Sequence, residues 1–450
     1  MAAIGLELVD AALTAVRDGV RVAASPGVAL LDPQGLQVGE AAAAAARLKP
    51  VLAADRFWSD LAVDSLVQAG LPAVSHADLA RAHLALVWST AGRPGDEIVF
   101  AIPAAMRLHQ VGLALGIARS LAIPVAGLVD SAVAACAGLA ARATVLHLDI
   151  HLHQAVLTDL QGASLLRRRR VEIAPRAGLK AMHAAWAQLV SEAMVRRTRF
   201  DPLHQAVSEQ QLYQRLPGWL DALATQDTVD VAIETDAGSF NATLRREQFA
   251  LAVEAWYAQL IELVHTGRRS GEALTLALSS RAAALPALRE RLAAARDFEL
   301  VALPDTAPAA AAALRAAEIG PAEPPTLVTA LPRTQPVAAV IAGHGTRQPA
   351  AGCPTHVILD GRAHPIDERP LVLGLGSGAG RRLVVSGPPA GISRSHCTLE
   401  RRGGRVVVRD HSRYGTFVNG ERVDGEASVG AGDRLRLGTP GVVLELVAVG

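Results

Sequence analysis

The C-terminal part of the chain, from residue 353 onward, has the pattern that most restricts the fold. Its apolar residues occur in short runs separated by clusters of Gly, Pro, Asn and Asp: HVIL (356–359), LVL (371–373), LVV (383–385), RVVVRD (405–410), TFV (416–418), RLRLG (434–438) and VVLELVAV (442–449). Short strands with turn signals at this spacing are typical of sandwiches and barrels. We therefore predict an all-β domain over residues 353–450.

Two motifs in this region carry hydrogen-bond donors. Ser393, Arg394 and His396 form an S-R-x-H sequence just before a predicted strand. Sixteen residues after His396, the sequence S-R-Y-G-T-F-V-N-G begins at Ser412 and Arg413. A phosphorylated threonine needs hydroxyl, guanidinium and backbone N–H donors held on rigid loops. Each motif offers a hydroxyl and a guanidinium, so the pair fits the binding of a phosphate group.

The second motif also contains turn signals. Gly415 permits a tight turn with positive φ, and Asn419-Gly420 is typical of a hairpin turn between two strands. We therefore expect this motif to form a loop, a short strand and a hairpin.

Together the motifs resemble those of the forkhead-associated (FHA) domain, a β-sandwich whose loops bind phosphothreonine peptides. The resemblance covers residues 353–450 and implies a threonine-phosphorylated protein as the partner. It also implies that the phosphopeptide-binding region contains Ser393, Arg394, Ser412, Arg413, Tyr414, Gly415, Thr416 and Asn419. In the family His396 and Gly374 are structural, and Asn419, like His396, is expected to brace a loop rather than to touch phosphate.

The sequence departs from the family at two contact positions. The family has Gly-Arg at the end of an early strand, and that arginine touches the phosphopeptide, but here Gly374 is followed by Leu375. Arg381 and Arg382 are candidates to replace the missing arginine. Tyr414 stands where many members have Asn. The alternative is a sandwich that has lost phosphate recognition, since a fold does not by itself fix a function.

Residues 1–304 have a mixed α/β pattern. EIVFAIPAAM (97–106) predicts a strand followed by a helix, TVLHLDIHLHQAVLTDL (144–160) a β-hairpin, and LTLALSSRAAALPALRERLAAA (274–295) a strand, a turn and a helix. Residues 305–352 are rich in Pro, Ala and Gly and lack apolar periodicity, so we expect a flexible linker there. The predicted fold is thus multidomain, with an α/β domain over 1–304 and an all-β domain after the linker.

The order of elements in the first domain resembles the ATPase domain shared by actin, sugar kinases and DnaK-type chaperones, a duplicated ribonuclease H-like fold. The resemblance lies in pattern more than in identity. It implies that LALSSR (276–281), which contains Ser279 and Arg281, corresponds to the adenosine-binding segment. It also implies two phosphate-binding loops, at residues 4–11 and 149–154.

Both phosphate loops lack residues on which phosphate binding and ATP hydrolysis depend in the family. Glu7 replaces the Asp of the first loop, Val9, Asp10 and Ala11 replace the second Gly and the hydroxyl residues, and a carboxylate at Asp10 would repel phosphate. The second loop keeps Asp149, which in the family anchors Mg²⁺-bound water, but His151 and His153 stand where the family has Gly. We therefore predict a degenerate ATPase domain that requires no cofactor, with weak ATP and Mg²⁺ binding as the alternative.

Histidines alternate along this second loop. If residues 147–153 form one strand, His147, Asp149, His151 and His153 share a face and could be considered zinc ligands. Their spread along a strand lets at most two neighbours reach one ion. We therefore favour a polar replacement of the phosphate hairpin and predict no metal.

Charge and composition exclude other classes of partner. The net charge is +1 and aromatic residues make up 3% of the chain, which leaves little for nucleic-acid binding. The run Arg167–Arg170 is interpreted as a solvated strand edge. Leu121–Ala141 contains a single charge and is interpreted as a buried strand and helix rather than a membrane span. We therefore expect a cytoplasmic protein with neither nucleic acid nor membrane as its partner.

These observations predict a phosphothreonine-binding adaptor in bacterial Ser/Thr kinase signalling, with the ATPase-like domain as an interaction platform. One alternative is an active chaperone-like ATPase regulated by its FHA domain. Another is a structural interaction protein that does not depend on phosphate.

Overall fold

The structure is a computed structural model. It describes residues 3–33, 35–66, 74–236, 238–268, 273–294, 298–320, 325–334, 353–359, 362–376, 380–385, 391–419, 421–438 and 441–448. The chain divides into two compact units. Unit 1 comprises Met1–Leu260 and Leu274–Ala338, and unit 2 comprises Ile261–Ala273 and Ala339–Gly450.

Strands and helices alternate through the first part of the chain. The strands are β1 (Ala3–Leu8), β2 (Ala12–Arg17), β3 (Val20–Pro26), β4 (Ala29–Asp32), β5 (Gly35–Val38), β6 (Ala53–Ala54), β7 (Ser65–Leu66), β8 (Val74–Ser75), β9 (Glu97–Ile102), β10 (Val125–Asp130), β11 (Thr144–Ile150), β12 (Gln154–Gln161), β13 (Leu165–Pro175), β14 (Thr228–Thr235), β15 (Gly238–Arg245), β16 (Leu274–Leu278), β17 (Phe298–Ala302), β18 (Leu327–Val328) and β19 (Ala330–Pro332). The helices are α1 (Glu40–Ala43), α2 (His76–Ala91), α3 (Leu108–Ser120), α4 (Ser131–Ala137), α5 (Leu179–Thr198), α6 (Ala206–Leu223), α7 (Arg246–Ala252), α8 (Glu254–Gly267), α9 (Ser280–Ala283), α10 (Leu288–Ala293), α11 (Ala307–Leu314) and α12 (Ala316–Ile319), with a 3₁₀ turn at Pro50–Leu52.

Two six-stranded sheets in unit 1 share the arrangement of five of their strands, and the sixth strand, β18 or β19, lies at opposite edges of the two sheets. Their strand orders are β18-β10-β9-β1-β2-β3 and β17-β16-β11-β12-β13-β19. In the first sheet β1 is antiparallel to β2 and parallel to β9, and in the second β11 is antiparallel to β12 and parallel to β16. The mixed α/β character predicted for this region is therefore confirmed.

The central strands are buried on both faces. All seven residues of β11 are buried, and β1 is buried from Ile4 to Leu8. Cover on both faces is typical of the parallel strands of α/β sheets. In the first sheet, α2 and α3 contribute one side of the core. The start of α2 is fixed by Ser75 and Asp78, which form a reciprocal capping box.

Part of the expected linker is folded, so the prediction of a flexible segment over 305–352 does not hold throughout. Residues 307–319 form α11 and α12, and residues 327–332 form β18 and β19, each of which pairs with one of the two sheets. The poly-Ala run lacks apolar periodicity because it is a short helix of small side chains, with Ala309 and Ala312 fully buried. Residues 335–352 lie outside the described residues.

Gly5 permits the close approach of α11 to the first sheet. A Cβ at Gly5 would lie 1.8 Å from the carbonyl oxygen of Ala309. We expect Gly5→Ala to lower the free energy of unfolding by about 1–3 kcal/mol, because the helix would have to move away from β1. Chemical denaturation would measure the change. At Gly112 on α3, no described atom outside the neighbouring helix backbone lies within 4 Å of an added Cβ, so Gly112→Ala should be neutral or stabilising by up to about 1 kcal/mol.

The apolar segment 121–141 folds as β10 and α4, as predicted. The carboxylate of Asp130 caps α4 by accepting a hydrogen bond from the Val133 N–H at 3.0 Å. All seven residues of α4 are buried. Within the described ranges, no helix is both long enough and apolar enough to cross a bilayer.

The arginine run 167–170 lies within β13, and the interpretation as a free solvated edge is wrong for its first part. Strand β19 pairs with β13 from Leu165 to Arg167, and the Arg168 N–H bonds to the carbonyl of Thr329. The Arg168 guanidinium also donates to the fully buried Asp130 at 2.7 Å. A β-strand that follows far later in the sequence covers this edge.

Unit 2 contains an all-β body. Its strands are β20 (His356–Leu359), β21 (Arg362–Pro365), β22 (Leu371–Gly374), β23 (Arg382–Val384), β24 (Cys397–Arg402), β25 (Arg405–Asp410), β26 (Thr416–Val418), β27 (Glu421–Arg422), β28 (Glu426–Val429), β29 (Arg434–Gly438) and β30 (Gly441–Val447). They form sheets of order β21-β20-β30-β29-β26-β27 and β23-β22-β24-β25-β28. Side chains from both sheets, such as Val357 and Leu399, share one buried core. The predicted all-β sandwich is thus confirmed.

The hairpin between β26 and β27 has the length that the sequence predicts. Val418 pairs with Glu421, so two residues connect the strands. Asn419 has φ of 52°, which its short polar side chain tolerates. Gly420, the second residue of the predicted turn, lies outside the described residues.

Candidate functional site

Three loops of unit 2 meet at one end of the sandwich. They are the segment after β22, the segment 391–396 before β24 and the segment 411–415 between β25 and β26. The N–H groups of Leu375 and Gly376 donate to the carbonyls of Ser393 and Arg394. The N–H of Arg413 donates to the Ser393 hydroxyl at 3.2 Å. Backbone and side-chain bonds therefore tie all three loops together.

His396 is a buried link between two of these loops. Its Nδ1 accepts a hydrogen bond from the Ser393 N–H at 3.0 Å, which leaves the proton on Nε2. Nε2 lies 2.9 Å from the carbonyl oxygen of Gly415 and donates to it. Burial lowers the pKa of His396, despite the carbonyl of Gly415 and the charge of Asp410. The imidazole is therefore neutral and acts as a brace between the loops.

Gly374 lets the second loop lie directly against the end of β22. A Cβ at this position would be 2.4 Å from the carbonyl oxygen of Arg394 and 2.7 Å from that of Ser393. Any side chain would push this loop away from the sheet. The position thus fixes where the main chain of Arg394 lies.

The carboxylate of Asp410 holds the third loop, residues 411–415, in place. One carboxylate oxygen accepts hydrogen bonds from the Ser412 N–H at 3.0 Å and from the Thr416 hydroxyl at 2.7 Å. Gly415 has the positive φ expected of it, 83°, and its N–H donates to the Ser412 hydroxyl at 2.7 Å. Thr416 is fully buried. It therefore supports the loop from inside, whereas the sequence placed it in the phosphopeptide-binding set.

Asn419 is occupied by internal bonds. Its side-chain amide donates to Asp433 at 2.7 Å, and its side-chain oxygen accepts from the Arg434 N–H at 2.8 Å. This geometry is that of a loop brace and leaves little of the carboxamide for a ligand.

Unused donors face outward from the same loops. Arg394, Arg413 and Tyr414 are exposed. In the part of unit 2 that the structure describes, neither the Arg394 nor the Arg413 guanidinium has a hydrogen bond or an ion pair. Because the hydroxyls of Ser393 and Ser412 accept bonds from backbone N–H groups, their own protons remain available to donate. The site thus combines two exposed guanidinium groups with two hydroxyl donors on braced loops.

Arg381 and Arg382 point to different partners. The Arg381 guanidinium bonds to Asp367 at 2.6 Å and also to the carbonyl of Pro365, so it is engaged away from the loops. The Arg382 guanidinium bonds to the Ser395 hydroxyl at 3.0 Å. Of the two arginines, only Arg382 reaches the loop that carries Arg394.

A comparison of the sequence with known protein families identifies the class of domain in unit 2. Residues 374–438 match the model of the FHA domain. FHA domains bind phosphothreonine-containing proteins, so the match implies a phosphothreonine-binding adaptor function. A search of curated proteins returned no significant match. No family match supports the resemblance of the N-terminal region to the actin and DnaK ATPases.

A second group of charged residues lies in unit 1, where the central strands of the two sheets end. Glu7 is the penultimate residue of β1, and Asp149 is the penultimate residue of β11. The Arg281 guanidinium donates to both carboxylates, each at 2.8 Å. The resemblance assigned Arg281 to an adenosine-binding segment, whereas the structure uses its guanidinium to neutralise two buried carboxylates.

The electrostatics of Asp149 follow from this arrangement. Burial alone would raise the pKa of Asp149, but the charge of Arg281 and the hydrogen bond from His151 hold that pKa well below its usual range. Burial would lower the pKa of His151, but the hydrogen bond to Asp149 and the charges of Asp149 and Asp10 outweigh it and raise that pKa. Asp149 is therefore a carboxylate whose charge is balanced from within the protein.

The remaining predicted nucleotide-site residues also have internal partners. Asp10 accepts a hydrogen bond from the Leu152 N–H at 2.8 Å, so a carboxylate from the first loop occupies an amide of the second. His153 Nε2 lies 3.1 Å from the carbonyl oxygen of Asp55. The Ser279 hydroxyl caps α9 through the Ala282 N–H at 3.2 Å. The loops are therefore held by protein groups at each of these positions.

The alternating histidines do not converge on one point. His147 is buried in β11, and burial lowers its pKa to about 4. His151 bonds to Asp149, and His153 bonds to Asp55, whose pKa is lowered to about 2 because His153 and Lys180 outweigh its burial. Among the described residues, no group of three or more His, Cys, Asp or Glu side chains could hold a metal ion.

A cavity of about 580 Å³ in unit 1 adjoins these loops. Ala11 and Leu152 contribute to its wall from the two hairpin turns. Its Lys and Arg side chains are already engaged: Lys180 bonds to Asp55 at 2.5 Å, and the Arg47 guanidinium lies 3.6 Å from the centre of the Tyr213 ring. Among the described residues that line the cavity, neither Lys180 nor Arg47 is therefore free to bind a phosphate group.

Proposed function

We propose that this chain is a phosphothreonine-binding adaptor in bacterial Ser/Thr kinase signalling. The observation that carries the proposal is a pair of guanidinium groups, Arg394 and Arg413, that have no partner among the described residues and lie beside two hydroxyl donors on braced loops of the FHA domain. A phosphothreonine brings about two negative charges and three acceptor oxygens. Charge-assisted hydrogen bonds from guanidinium and hydroxyl groups are the interactions that such a ligand needs.

Within this proposal, the ligand-facing residues are Ser393, Arg394, Ser412, Arg413 and Tyr414. Gly374, His396, Gly415, Thr416 and Asn419 set the shape of the loops. Tyr414, with 43% of its surface exposed, would contact the peptide beside the phosphate. The first set of residues would thus contact the ligand, and the second set would hold the loops that carry them.

Binding to a phosphothreonine peptide library tests the proposal. We expect Arg394→Ala to weaken binding of a selected phosphopeptide by about 1.5–3 kcal/mol, because a charge-assisted hydrogen bond to phosphate is lost. Isothermal titration calorimetry on the full chain would measure the affinity. Arg405→Ala, which removes an exposed arginine at the opposite end of β25, should leave the affinity unchanged.

The result also separates the alternatives. If the wild-type chain binds phosphorylated and unphosphorylated peptides equally, the phosphate-independent interaction protein is favoured, and Leu375 marks a lost phosphate contact. If phosphopeptide binding is selective but Arg394→Ala has no effect, the role assigned to Arg394 is wrong while the adaptor function stands.

We further propose that unit 1 has the duplicated ribonuclease H-like fold of the actin and DnaK class and serves as a platform without ATP hydrolysis. Five strands in each sheet, β10-β9-β1-β2-β3 and β17-β16-β11-β12-β13, share one order and one set of directions, which supports the duplicated fold. The internal bonds of Glu7, Asp10, Asp149 and Arg281 support the loss of hydrolysis, because they occupy the groups that would have to act on Mg²⁺ and phosphate.

The two hypotheses for unit 1, a platform without hydrolysis and a working ATPase, predict different rates of ATP hydrolysis. A platform should release no phosphate from Mg²⁺-ATP above the rate of a protein-free control, and Asp149→Ala should not change this. The alternative, a working ATPase regulated by its FHA domain, requires Mg²⁺-dependent turnover that falls in Asp149→Ala. A phosphate-release assay on the purified full chain distinguishes these outcomes.

A further inference from the structure

The position that lacks its family arginine is filled by an apolar side chain. Leu375 follows Gly374, and its side chain is partly buried against the core of unit 2. No guanidinium therefore comes from the end of β22 itself. The adjacent strand β23 runs parallel to β22, with Arg382 opposite Val372, and so places an arginine beside β22.

The contacts of Arg382 are with the loop that carries Arg394. One terminal nitrogen of its guanidinium bonds to the Ser395 hydroxyl at 3.0 Å. The other lies 3.4 Å from the carbonyl oxygen of Arg394 and 3.5 Å from that of Gly376. A single guanidinium thus contacts Gly376 in the segment after β22, the carbonyl of Arg394 and the next residue, Ser395.

Together with two glycines, these contacts fix the position of the Arg394 main chain. Gly374 and Gly376 approach the carbonyl oxygen of Arg394 from one side, and the N–H of Gly376 donates to that oxygen at 3.0 Å. The oxygen accepts from Arg382 as well. Because the carbonyl is held inward, the Arg394 side chain remains on the exposed side of the loop.

We infer that Arg382 is a positioning residue for phosphothreonine binding, which holds the main chain at Arg394 so that the Arg394 guanidinium faces the ligand. In this role it compensates for the arginine that Leu375 replaces. The inference rests on the proposed phosphothreonine-binding function. Arg381, the neighbouring arginine, has no such role because Asp367 and Pro365 hold its guanidinium elsewhere.

A double-mutant cycle tests whether Arg382 acts through Arg394. Arg382→Met keeps the apolar stem and removes the guanidinium. We expect it to weaken phosphothreonine-peptide binding about fivefold to tenfold in the wild-type chain and less than about twofold in the Arg394→Ala background, since residues that act as one unit are not additive. Arg381→Met is the matched control and should leave the affinity within about twofold.

The outcomes are distinct. Equal losses in both backgrounds, or no loss in the wild-type chain, would overturn the positioning role. If the wild-type chain shows no phosphate selectivity, the proposed function fails, and hydrogen exchange then tests the geometry without ligand. Arg382→Met should raise the exchange rate of the Gly376 amide, which donates to Arg394, while Arg381→Met should not. An unchanged rate would refute the inference.

Discussion

Replacing Arg281 with glutamine is expected to lower the free energy of unfolding of unit 1 by about 3–5 kcal/mol, because breaking a buried ion pair leaves an uncompensated charge. Here two charges are affected: Glu7 is 1% exposed and Asp149 is 4% exposed, and one guanidinium serves both. Glutamine can replace at most one or two of the hydrogen bonds and none of the positive charge. Urea denaturation followed by tryptophan fluorescence and circular dichroism would measure the change.

A matched substitution controls for the loss of an arginine in general. Arg169, in β13 of the same unit, is exposed, and Arg169→Gln should change stability by less than about 0.5 kcal/mol. Combining Glu7→Gln with Arg281→Gln should recover part of the loss, since one of the stranded carboxylates is removed. If Arg281→Gln costs no more than the control, solvent reaches the carboxylates and the guanidinium is not their essential partner.

The second large effect concerns pH and His83. Its Nδ1 accepts a hydrogen bond from the Trp58 indole at 3.0 Å, and its Nε2 donates to the Ser25 hydroxyl at 2.8 Å. The ring is fully buried, and burial lowers its pKa from 6.5 to about 4. Protonation of Nδ1 would both charge a buried ring and break the bond to Trp58. His83 is therefore neutral in the folded protein.

The sign of the pH dependence follows from linkage. Between pH 6.5 and 4 the unfolded chain binds a proton at His83 that the folded chain does not, so stability falls as the pH is lowered through this range. The full loss amounts to about 3 kcal/mol. His147 and His183, whose pKa values burial also lowers to about 4, contribute in the same direction. Denaturation at a series of pH values would record the slope.

A variant assigns part of that slope to His83. His83→Gln removes the titrating group while keeping a hydrogen-bonding side chain, and the slope between pH 6.5 and 4 should become shallower. His109→Gln, at an exposed position on α3, should leave the slope as it is. If His83→Gln has the same slope as the wild-type chain, the imidazole is protonated in the folded state at acidic pH without penalty.

The sequence was most informative where local pattern and local chemistry agree. The strands of unit 2 follow their short apolar runs, and the turn at Asn419 follows from residues that favour it. The exposed donors Arg394 and Arg413 were found because each motif keeps its hydroxyl and guanidinium side by side. Such features depend on neighbours in sequence, and a single chain is enough to predict them.

The sequence was least informative where distant segments meet. The role of Arg281 depends on Glu7 and Asp149, which are 274 and 132 residues away. The poly-Ala run was expected to be a linker because its burial depends on contact with Gly5 and not on its own periodicity. Likewise, the edge of β13 was expected to be solvated because β19, which covers it, lies in the same Pro- and Ala-rich segment. No local pattern encodes these contacts.

Helix α11 also affects the order in which unit 1 can fold during synthesis. A ribosome releases β1 well before α11, but residues 307–314 of α11 cover the surface over Gly5. The first sheet can therefore assemble its strands early and complete its packing only after most of unit 1 has left the ribosome. Until then, an apolar surface of the nascent chain stays open to aggregation or to holding chaperones. Because α11, one of the last helices of unit 1, covers β1, unit 1 can complete its co-translational folding only late in synthesis.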